Sequence, residues 1–438
     1  MTERKAETEG RPRWLVLTPF LRWAPELTER QWRVLGMLSV VGLFDQYDLS
    51  ILSFALPEIQ ASLSIPEAQV GYLGSVIAMG AIPAVLAGLA ADRLGRRRLL
   101  LITIVAYTVL TGATAFAPDA RTYIALQFFA RAFSTAELML AVVVIAEEFG
   151  PTTRGWGVGA LFAIRSCGVG LAAGAYPLAH ALGLSWRSLY LAGLIPLVLV
   201  AYWRRTLPET ERFTRRQDEL AGSKNSEFAL GPLLHLIRDY PGRFVSMSSV
   251  LGCLTVGGAA ASFLAPKYLQ EAHGWAPNQI MLLYVFGGAF GIIGATVAGS
   301  LSDRLGRKRM AIGLGLLVTC LAIAFYNISG WLLAPLWVAM IFCLIGHDTM
   351  QSTFGAEMFP TSHRSTAAGA RQLVITLGAS LGLALESVLY SVLHSHWKSV
   401  TLLLCLMFVA PVVVKLAYPE TSGRDLDEIA PEREREPR

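Results

Sequence analysis

The hydrophobic pattern of this 438-residue chain consists of long apolar runs separated by short polar clusters. Most runs approach or exceed the roughly 20 apolar residues that a helix needs to cross the hydrocarbon of a bilayer. A backbone in that environment must satisfy its own hydrogen bonds, which favours helices over loops or open strands. The strict alternation that is typical of barrel strands does not occur in these runs. The pattern therefore predicts an all-α integral membrane protein.

The apolar runs divide into about twelve transmembrane helices, which predict two six-helix bundles. We place the spans at 34–56, 69–91, 98–117, 121–147, 156–182, 187–205, 244–270, 279–301, 309–328, 331–357, 364–394 and 397–418. The predicted organisation is an N-terminal tail (1–33), a first bundle (34–205), a linker (206–243), a second bundle (244–418) and a C-terminal tail (419–438).

Composition and charge place these spans in a cell membrane. Charged residues make up 16% of the chain, below the roughly 25% of soluble domains. Arginine and lysine concentrate in the N-terminal tail, the linker and the turns after spans two and eight, and they are sparse in the opposite loops. Basic residues favour the cytoplasmic side, so both termini are predicted to be cytoplasmic and the location to be the plasma membrane, the inner membrane if bacterial. The net charge of +5 needs no nucleic-acid partner.

Three motifs occur in both halves of the chain at nearly the same interval. The turn after span two contains Gly88, Asp92, Arg93, Gly95 and Arg96, and the turn after span eight contains Asp303, Arg304, Gly306 and Arg307. In the second motif a glutamate is followed seven residues later by an arginine, as in Glu147 with Arg154 and Glu357 with Arg364. The third motif is proline, glutamate and threonine, and its glutamates are Glu209 and Glu420. Parallel repeats of six spans, with a site between them near the midplane, are one of the architectures of secondary transporters.

The repeated motifs resemble the major facilitator superfamily over essentially the whole chain. The glycine, aspartate and basic turn resembles its signature loop, and the other two motifs resemble its sugar-porter and organic-ion branches. The resemblance implies two bundles that rock around a central cavity. On the residues themselves, the charged motif positions are predicted to form a cytoplasmic ion-pair lattice that holds in one state and breaks in the other. Glu137 is assigned a structural role.

Ionisable residues at membrane depth are costly and mark functional sites. Asp45 and Asp48 share one face of span one, and Arg131 lies near mid-depth on span four. This arrangement resembles the proton-coupling site of proton-linked sugar porters, and Phe44 to Asp48 resembles the first helix of the aromatic-acid/proton symporters. A carboxylate that alternates between an arginine and a proton would couple protonation to transport. The alternative is a permanent ion pair that only fixes helix packing.

Two further acids occupy equivalent positions of the repeat, namely Glu137 and Asp348. We infer that Glu137 pairs with Arg165 and that Asp348 pairs with Arg371, because the members of each pair lie at similar depth. The pairs could be structural ties, or the arginines could bind a carboxylate through bidentate hydrogen bonds. The candidate substrate-binding residues are Tyr47, Arg165, His347, Asp348, Gln351 and Arg371.

The function that follows is secondary transport rather than catalysis. The sequence contains no P-loop, nucleophile–base pair or metal-ligand cluster, so no cofactor or metal is predicted. The leading hypothesis is proton-coupled symport of a small organic anion by alternating access, with protons and the lipid bilayer as partners and a monomer as the functional unit. The alternatives are a proton antiporter that exports a cationic or amphipathic compound, a sugar transporter, and a substrate-sensing receptor of another functional class.

Overall fold

The computed structural model of the protein describes residues 25–84, 96–150, 153–204, 231–360 and 363–422. Within these ranges the chain is helical and contains no strand, which confirms the predicted all-α class. The helices are α1 (Glu29–Phe54), α2 (Leu56–Ser62), α3 (Val70–Met79), α4 (Arg96–Thr114), α5 (Ala120–Glu148), α6 (Arg154–Ala181), α7 (Trp186–Arg204), α8 (Gly231–Asp239), α9 (Pro241–Lys267), α10 (Pro277–Leu305), α11 (Arg307–Asn327), α12 (Leu333–Glu357), α13 (Arg364–Leu393), α14 (His396–Leu404) and α15 (Val409–Ala417).

Short irregular helices complete the set. A 3₁₀ turn at Glu67–Gln69 precedes α3, a π-helical turn at Tyr268–Ala272 follows α9, and a 3₁₀ turn at Cys405–Phe408 joins α14 to α15. Of the helices in the described ranges, nine are long and apolar enough to cross a bilayer, and two shorter apolar ones correspond to predicted spans three and six. The predicted spans thus coincide with helices to within a few residues, except that the second, 69–91, is described only to residue 84, where it contains α3.

Local sequence explains where individual helices begin. The Thr28 hydroxyl accepts from the Gln31 amide at 3.3 Å, and the Gln31 side chain accepts from the Thr28 amide at 3.0 Å. This reciprocal arrangement satisfies two of the backbone donors that a helix N-terminus leaves free, and it starts α1 at Glu29. Asp119 caps α5 by accepting from the Thr122 amide at 2.9 Å. Both caps lie just before long apolar runs.

The chain divides into two compact units, and each has its own core. Unit 1 contains the described residues of 1–59 and 83–225, and unit 2 contains those of 60–82 and 226–438. In unit 1, α1 packs on α6 and α4 packs on α5 and α7. In unit 2, α10 and α11 pack on α12, α9 packs on α13, and α3 also packs on α13. Fully buried aliphatic and aromatic side chains fill both cores, among them Leu35 and Leu161 in unit 1 and Phe359 in unit 2.

Residues 60–82 are notable because they belong to the first half of the sequence repeat and yet pack within unit 2. The compact units follow packing, whereas the predicted bundles 34–205 and 244–418 follow the repeat. The bundle boundaries therefore stay a prediction.

The contact of α1 with α6 depends on a glycine. A Cβ atom at Gly168 would lie 2.2 Å from the Leu43 carbonyl oxygen, far inside van der Waals distance. Small residues let helix backbones approach closely in membranes, where packing replaces the hydrophobic effect as the driving force. This close approach brings the polar face of α1 within reach of the arginine on α6.

Candidate functional site

Asp45 on α1 is the centre of a charged cluster in unit 1. Its Oδ2 atom accepts from Arg165 Nε at 3.1 Å and Nη2 at 2.8 Å, and its Oδ1 atom lies 3.5 Å from Arg131 Nη1. The Asp45 side chain is 5% exposed, whereas Arg131 and Arg165 are 21% and 19% exposed. The cluster thus joins three helices through one buried carboxylate and two half-buried guanidinium groups, as predicted for Asp45 with Arg131.

Asp48 lies one turn away on α1 in a different environment. Its Oδ2 atom accepts from the Tyr107 hydroxyl and, at 3.1 Å, from the Thr111 hydroxyl, both on α4. Its Oδ1 atom is buried without a hydrogen-bond partner. No cation is recorded in contact with Asp48 within the part of the chain that the structure describes. Asp48 can therefore gain or lose a proton without breaking an ion pair, whereas Asp45 cannot.

The predicted pair of Glu137 with Arg165 is wrong. Arg165 donates to Asp45, and Glu137 accepts from the Thr103 hydroxyl on α4 at 2.5 Å. Glu137 nevertheless lies close to the cluster, because a cavity of about 10 Å³ is lined by Asp45, Ser134 and Glu137 together with apolar side chains of α1 and α5. A cavity of this size is close to the minimum for one water molecule, and its polar walls offer that water partners.

The predicted pair of Asp348 with Arg371 is confirmed in unit 2. Arg371 Nη2 lies 2.9 Å from Asp348 Oδ1, and the Arg371 Nε atom is buried without a hydrogen-bond partner. The two side chains differ in exposure, because Asp348 is 72% exposed and Arg371 only 20%. The carboxylate can move into solvent at little cost, which leaves the guanidinium able to accept another anion.

The remaining predicted substrate residues are engaged with the protein. The Tyr47 hydroxyl donates to the Leu189 carbonyl at 3.0 Å and is buried. His347 and Gln351, one turn apart on α12, are 3.2 Å apart at their side-chain nitrogens and are also buried. Their role in substrate binding stays a prediction.

The second signature turn is compact and built around a carboxylate. Gly306 joins α10 to α11 with a φ of +96°, and the Glu420 carboxylate accepts from the Arg307 amide at 2.9 Å and from the Lys308 amide. The Arg307 side chain in turn forms an ion pair with Glu357. The carboxylate of Glu420 therefore lies at the N-terminus of α11, where free amides and the helix dipole favour an anion.

Only some of the other residues of the predicted ion-pair lattice lie in the described part of the chain. Arg304 is exposed, the Arg154 Nε atom has no hydrogen-bond partner, and Glu148, the neighbour of Glu147, forms the ion pair with Arg30 at 2.7 Å. The predicted residues that lie outside the described part of the chain are Gly88, Asp92, Arg93, Gly95 and Glu209, together with the side chains of Arg96, Asp303 and Arg364.

Several polar residues in the structure were not predicted to act together. Tyr107 and Thr111 are the partners of Asp48, and their four-residue spacing on an apolar helix is the signal that could have identified them. Lys267, Glu386 and His396 form a second buried cluster in unit 2. Within the described ranges, no group of three or more histidine, cysteine or acidic side chains is arranged to hold a metal ion.

Comparison with known proteins gives matches over most of the chain. The sequence model described as Major Facilitator Superfamily matches residues 38–355 and 247–436. The cis,cis-muconate transport protein of Acinetobacter baylyi is 28% identical over 367 residues, which cover 80% of this chain and 86% of the relative. The probable 4-methylmuconolactone transporter of Cupriavidus pinatubonensis is 28% identical over 402 residues, which cover 88% and 90%.

Solved structures give the same fold. A crystal structure of a D-xylose-proton symporter superposes with a TM-score of 0.70 and covers 90% of this chain and 99% of its own. Its sequence identity is 18%, so this likeness concerns the fold. The two overlapping matches of the family model include all the residues of the charged clusters around Asp45 and His396.

Proposed function

The chain belongs to the major facilitator superfamily and is a multi-pass secondary transporter of a small organic solute, and on this basis we propose that it takes up an organic carboxylate together with protons. The observation that carries the proposal is the cluster around Asp45, in which two guanidinium groups share one buried carboxylate. The three groups that contact one another carry a net charge of about +1, because one carboxylate faces two guanidinium groups that stay protonated, while Glu137 nearby accepts from the Thr103 hydroxyl. Such a site is complementary to an anion.

The exposure of the three side chains indicates how a substrate would enter. The arginines are partly accessible and Asp45 is not. Arg165 uses both Nε and Nη2 on a single oxygen of Asp45, so its donor edge is already aligned in the way that a carboxylate requires. A substrate carboxylate that takes this edge would replace Asp45 as the partner of Arg165.

The replacement provides the coupling. A buried carboxylate that loses its arginine is strongly destabilised unless it binds a proton. Substrate at Arg165 would therefore favour a proton on Asp45, and release of the substrate would return the arginine and expel the proton. Asp48 is a second carrier, because it can exchange its proton without disrupting an ion pair. The small cavity between Asp45 and Glu137 offers a place for the water that such a transfer needs.

The relatives support an organic acid over a sugar. The names of two of them specify muconate, which is a carboxylate, and 4-methylmuconolactone. In addition, Arg371 in unit 2 has an unpartnered Nε atom and an exposed counter-ion, so it can itself contact an anion. We place the protein in the plasma membrane, where uptake of such acids can use the proton gradient.

The test is uptake into proteoliposomes with an imposed proton gradient, acidic outside. We expect accumulation of cis,cis-muconate or an aromatic carboxylate, dissipation by an uncoupler, and no accumulation of xylose or of an organic cation. The Arg165→Gln variant should lose carboxylate uptake, whereas Arg121→Gln, a change at an exposed arginine in the first turn of α5, should not. Accumulation of the cation when the gradient is reversed would instead identify an exporter.

A further inference from the structure

The second charged cluster lies in unit 2, around the turn that precedes α3. We call it the latch, and its members are Glu67, Lys267, Glu271, Glu386 and His396. Glu67 lies in the 3₁₀ turn before α3, Lys267 and Glu271 lie where α9 runs into its π turn, Glu386 lies on α13 and His396 begins α14. The positive-inside pattern predicts that these segments lie on the outer side. The latch is separate from the cluster around Asp45.

His396 contacts a carboxylate with each of its ring nitrogens. Its Nε2 atom lies 2.8 Å from Glu67 Oε2, and its Nδ1 atom lies 2.6 Å from Glu386 Oε1. A neutral imidazole has one N–H group, so with two carboxylates one of these contacts would bring two lone pairs together. Both contacts become hydrogen bonds only when one more proton is present, either on the imidazole or on Glu386. The geometry therefore requires a bound proton.

The surrounding charges lead to the same conclusion. Lys267 is fully buried, and its Nζ atom lies 2.9 Å from Glu67 and 3.1 Å from Glu271. Glu386 is also fully buried, and its Oε2 atom has no hydrogen-bond partner. The cluster contains three carboxylates and one ammonium group, so a neutral histidine would leave about two uncompensated negative charges in it. One added proton halves that charge, which lowers the cost of burying it.

The remaining neighbours of His396 do not supply this proton. The ring of Tyr390 stacks on the imidazole with centroids 4.2 Å apart and contributes packing. The hydrogen bond from His396 lowers the pKa of Glu67 to about 2, so Glu67 remains a carboxylate at physiological pH. The geometry therefore places the added proton in the contact between His396 and Glu386. It belongs to the pair, and both positions give two hydrogen bonds.

The latch is connected to a larger contact between α3 and α13. The Tyr72 amide donates to the Ser387 hydroxyl at 2.9 Å, and the hydroxyl oxygens of Ser75 and Ser380 are 3.0 Å apart. A Cβ atom at Gly71 would lie 2.5 Å from Glu386 Oε2, so α3 closes directly over the buried acid. Movement of residues 60–82 away from α13 would expose Glu386 to water.

We propose that the pair of His396 and Glu386 is a proton-binding site that holds residues 60–82 against α13 when protonated and releases them when deprotonated. External pH would then bias the access equilibrium of the transporter through residues that do not belong to the cluster around Asp45. A proton that binds more tightly when residues 60–82 pack on α13 shifts the population toward that packed state. The size of the shift is set by the difference in proton affinity between the two states. The inference requires an alternating transporter, but it does not depend on the substrate or on coupling at Asp45.

The experiment is a distance measurement by double electron–electron resonance in proteoliposomes. Spin labels are placed at Ala61→Cys and Lys398→Cys, two exposed positions near the latch, after replacement of the five native cysteines. Between about pH 5 and about pH 9, a range that brackets histidine titration, we expect the parent to change from one short distance to a mixture with a longer one. A distribution that does not change over this range would overturn the proposal.

Two substitutions test the two states of the latch, one by fixing the packed state and one by fixing the released state. In Glu386→Gln, the amide can donate to His396 Nδ1 while Nε2–H donates to Glu67, so both hydrogen bonds form without an added proton. This variant should keep the short distance at every pH. His396→Gln cannot bridge both carboxylates and should show the longer distance at every pH. The control is His394→Asn, an exposed histidine in the left-handed conformation that asparagine tolerates, and it should respond to pH as the parent does.

The outcomes separate this proposal from the proposed function. A pH response that persists unchanged in Glu386→Gln would overturn the latch, even if His396→Gln proves too unstable to measure. Because the readout is a distance without substrate, the latch can fail while carboxylate uptake is confirmed. Conversely, a pH response that Glu386→Gln abolishes would support the latch, even if the substrate is not an acid.

Discussion

Arg165 contacts Asp45 through two donors on one oxygen, at 3.1 Å from Nε and 2.8 Å from Nη2, whereas Arg131 reaches the other oxygen only at 3.5 Å. The two arginines are therefore unequal partners of one acid. Asp45 loses its main partner when Arg165 leaves but keeps a weaker one, and both arginines lose their anion when Asp45 is neutralised. This asymmetry sets an order for the effects of substitution.

We expect Asp45→Asn to lower the free energy of unfolding by about 3–5 kcal/mol, the usual cost of leaving buried charges without a partner. Arg165→Gln should lower it by less. Once Asp45 is neutral, removal of the Arg165 charge no longer leaves a buried carboxylate without its main partner. The double variant should therefore lose less stability than the two single variants added together. Melting in detergent across the four-member cycle measures the coupling. Additive losses would show that the contact contributes nothing, and Arg121→Gln, at an exposed position, should leave stability unchanged.

The Asp48→Asn variant should abolish accumulation driven by a proton gradient while exchange of substrate across the membrane continues. Exchange needs the binding site and the alternation of states but no net release of protons. The amide keeps an acceptor for Tyr107 and Thr111, so stability should change by only about 1 kcal/mol. Efflux, exchange and accumulation are compared in the same vesicles, with Asp119→Asn as a control acid outside the site. Full accumulation in Asp48→Asn would leave Asp45 as the carrier.

The pair of Asp348 with Arg371 should contribute little to stability. Depth in the sequence suggests a buried ion pair, but Asp348 is 72% exposed, and solvent-exposed pairs are typically worth less than about 1 kcal/mol. We expect a small coupling in the double-mutant cycle, together with a roughly tenfold loss of carboxylate affinity in Arg371→Gln alone, or about 1.4 kcal/mol. Isothermal titration measures the affinity. An unchanged affinity would restrict Arg371 to a structural role.

Gly306→Ala should destabilise the second signature turn by about 1–2 kcal/mol, because a residue with a side chain is strained at a φ of +96°. The new Cβ atom would also lie 2.8 Å from Glu420 Oε2 and disturb the carboxylate that caps α11. The matched control is Gly313→Ala within α11. No atom lies within 4 Å of a Cβ atom added there, and alanine favours the helix over glycine. Thermal unfolding of the two variants should shift in opposite directions. An unchanged melting temperature in Gly306→Ala would show that the turn can relax.

Acid should weaken the latch through Glu67 in a defined window. The hydrogen bond from His396 lowers the pKa of Glu67 from 4.5 to about 2. Because the folded pKa lies below the unfolded value, this contribution is complete above about pH 4.5 and is lost as the pH falls toward 2. The melting temperature of the parent should therefore fall more steeply over this interval than that of Glu67→Gln. Parallel curves would place the stabilisation elsewhere.

Much of the fold follows from the hydrophobic pattern, because a span is defined by its length and apolar content and needs no knowledge of its partners. The contact of Asp45 with Arg131 was predicted in the same way, since depth along a helix can be read from residue number. Depth does not give the rotation of one helix against another. For this reason Arg165 was matched to Glu137, when its guanidinium in fact turns toward α1 and Asp45.

The latch illustrates a second reason why sequence is insufficient. Lys267 and His396 lie at the ends of apolar runs, where basic residues are ordinarily solvated, and yet both are buried in the structure. Both contact Glu67, which is 200 residues from Lys267 and 329 residues from His396 in sequence. Periodicity and spacing describe a segment and its neighbours, whereas a network of this kind exists only after those segments have packed.

The packing of α3 on α13 also imposes an order on synthesis. Ser75 and Ser380 are 305 residues apart. A ribosome adding about 5–20 residues per second needs about 15–60 s to make the partner of α3. Throughout that interval the face of α3 that carries Gly71 and Ser75 has none of its final contacts with α13, although α3 itself has already been translated. The predicted second span therefore reaches its final environment only after the predicted eleventh has been translated, and a prematurely terminated chain would leave that face uncovered.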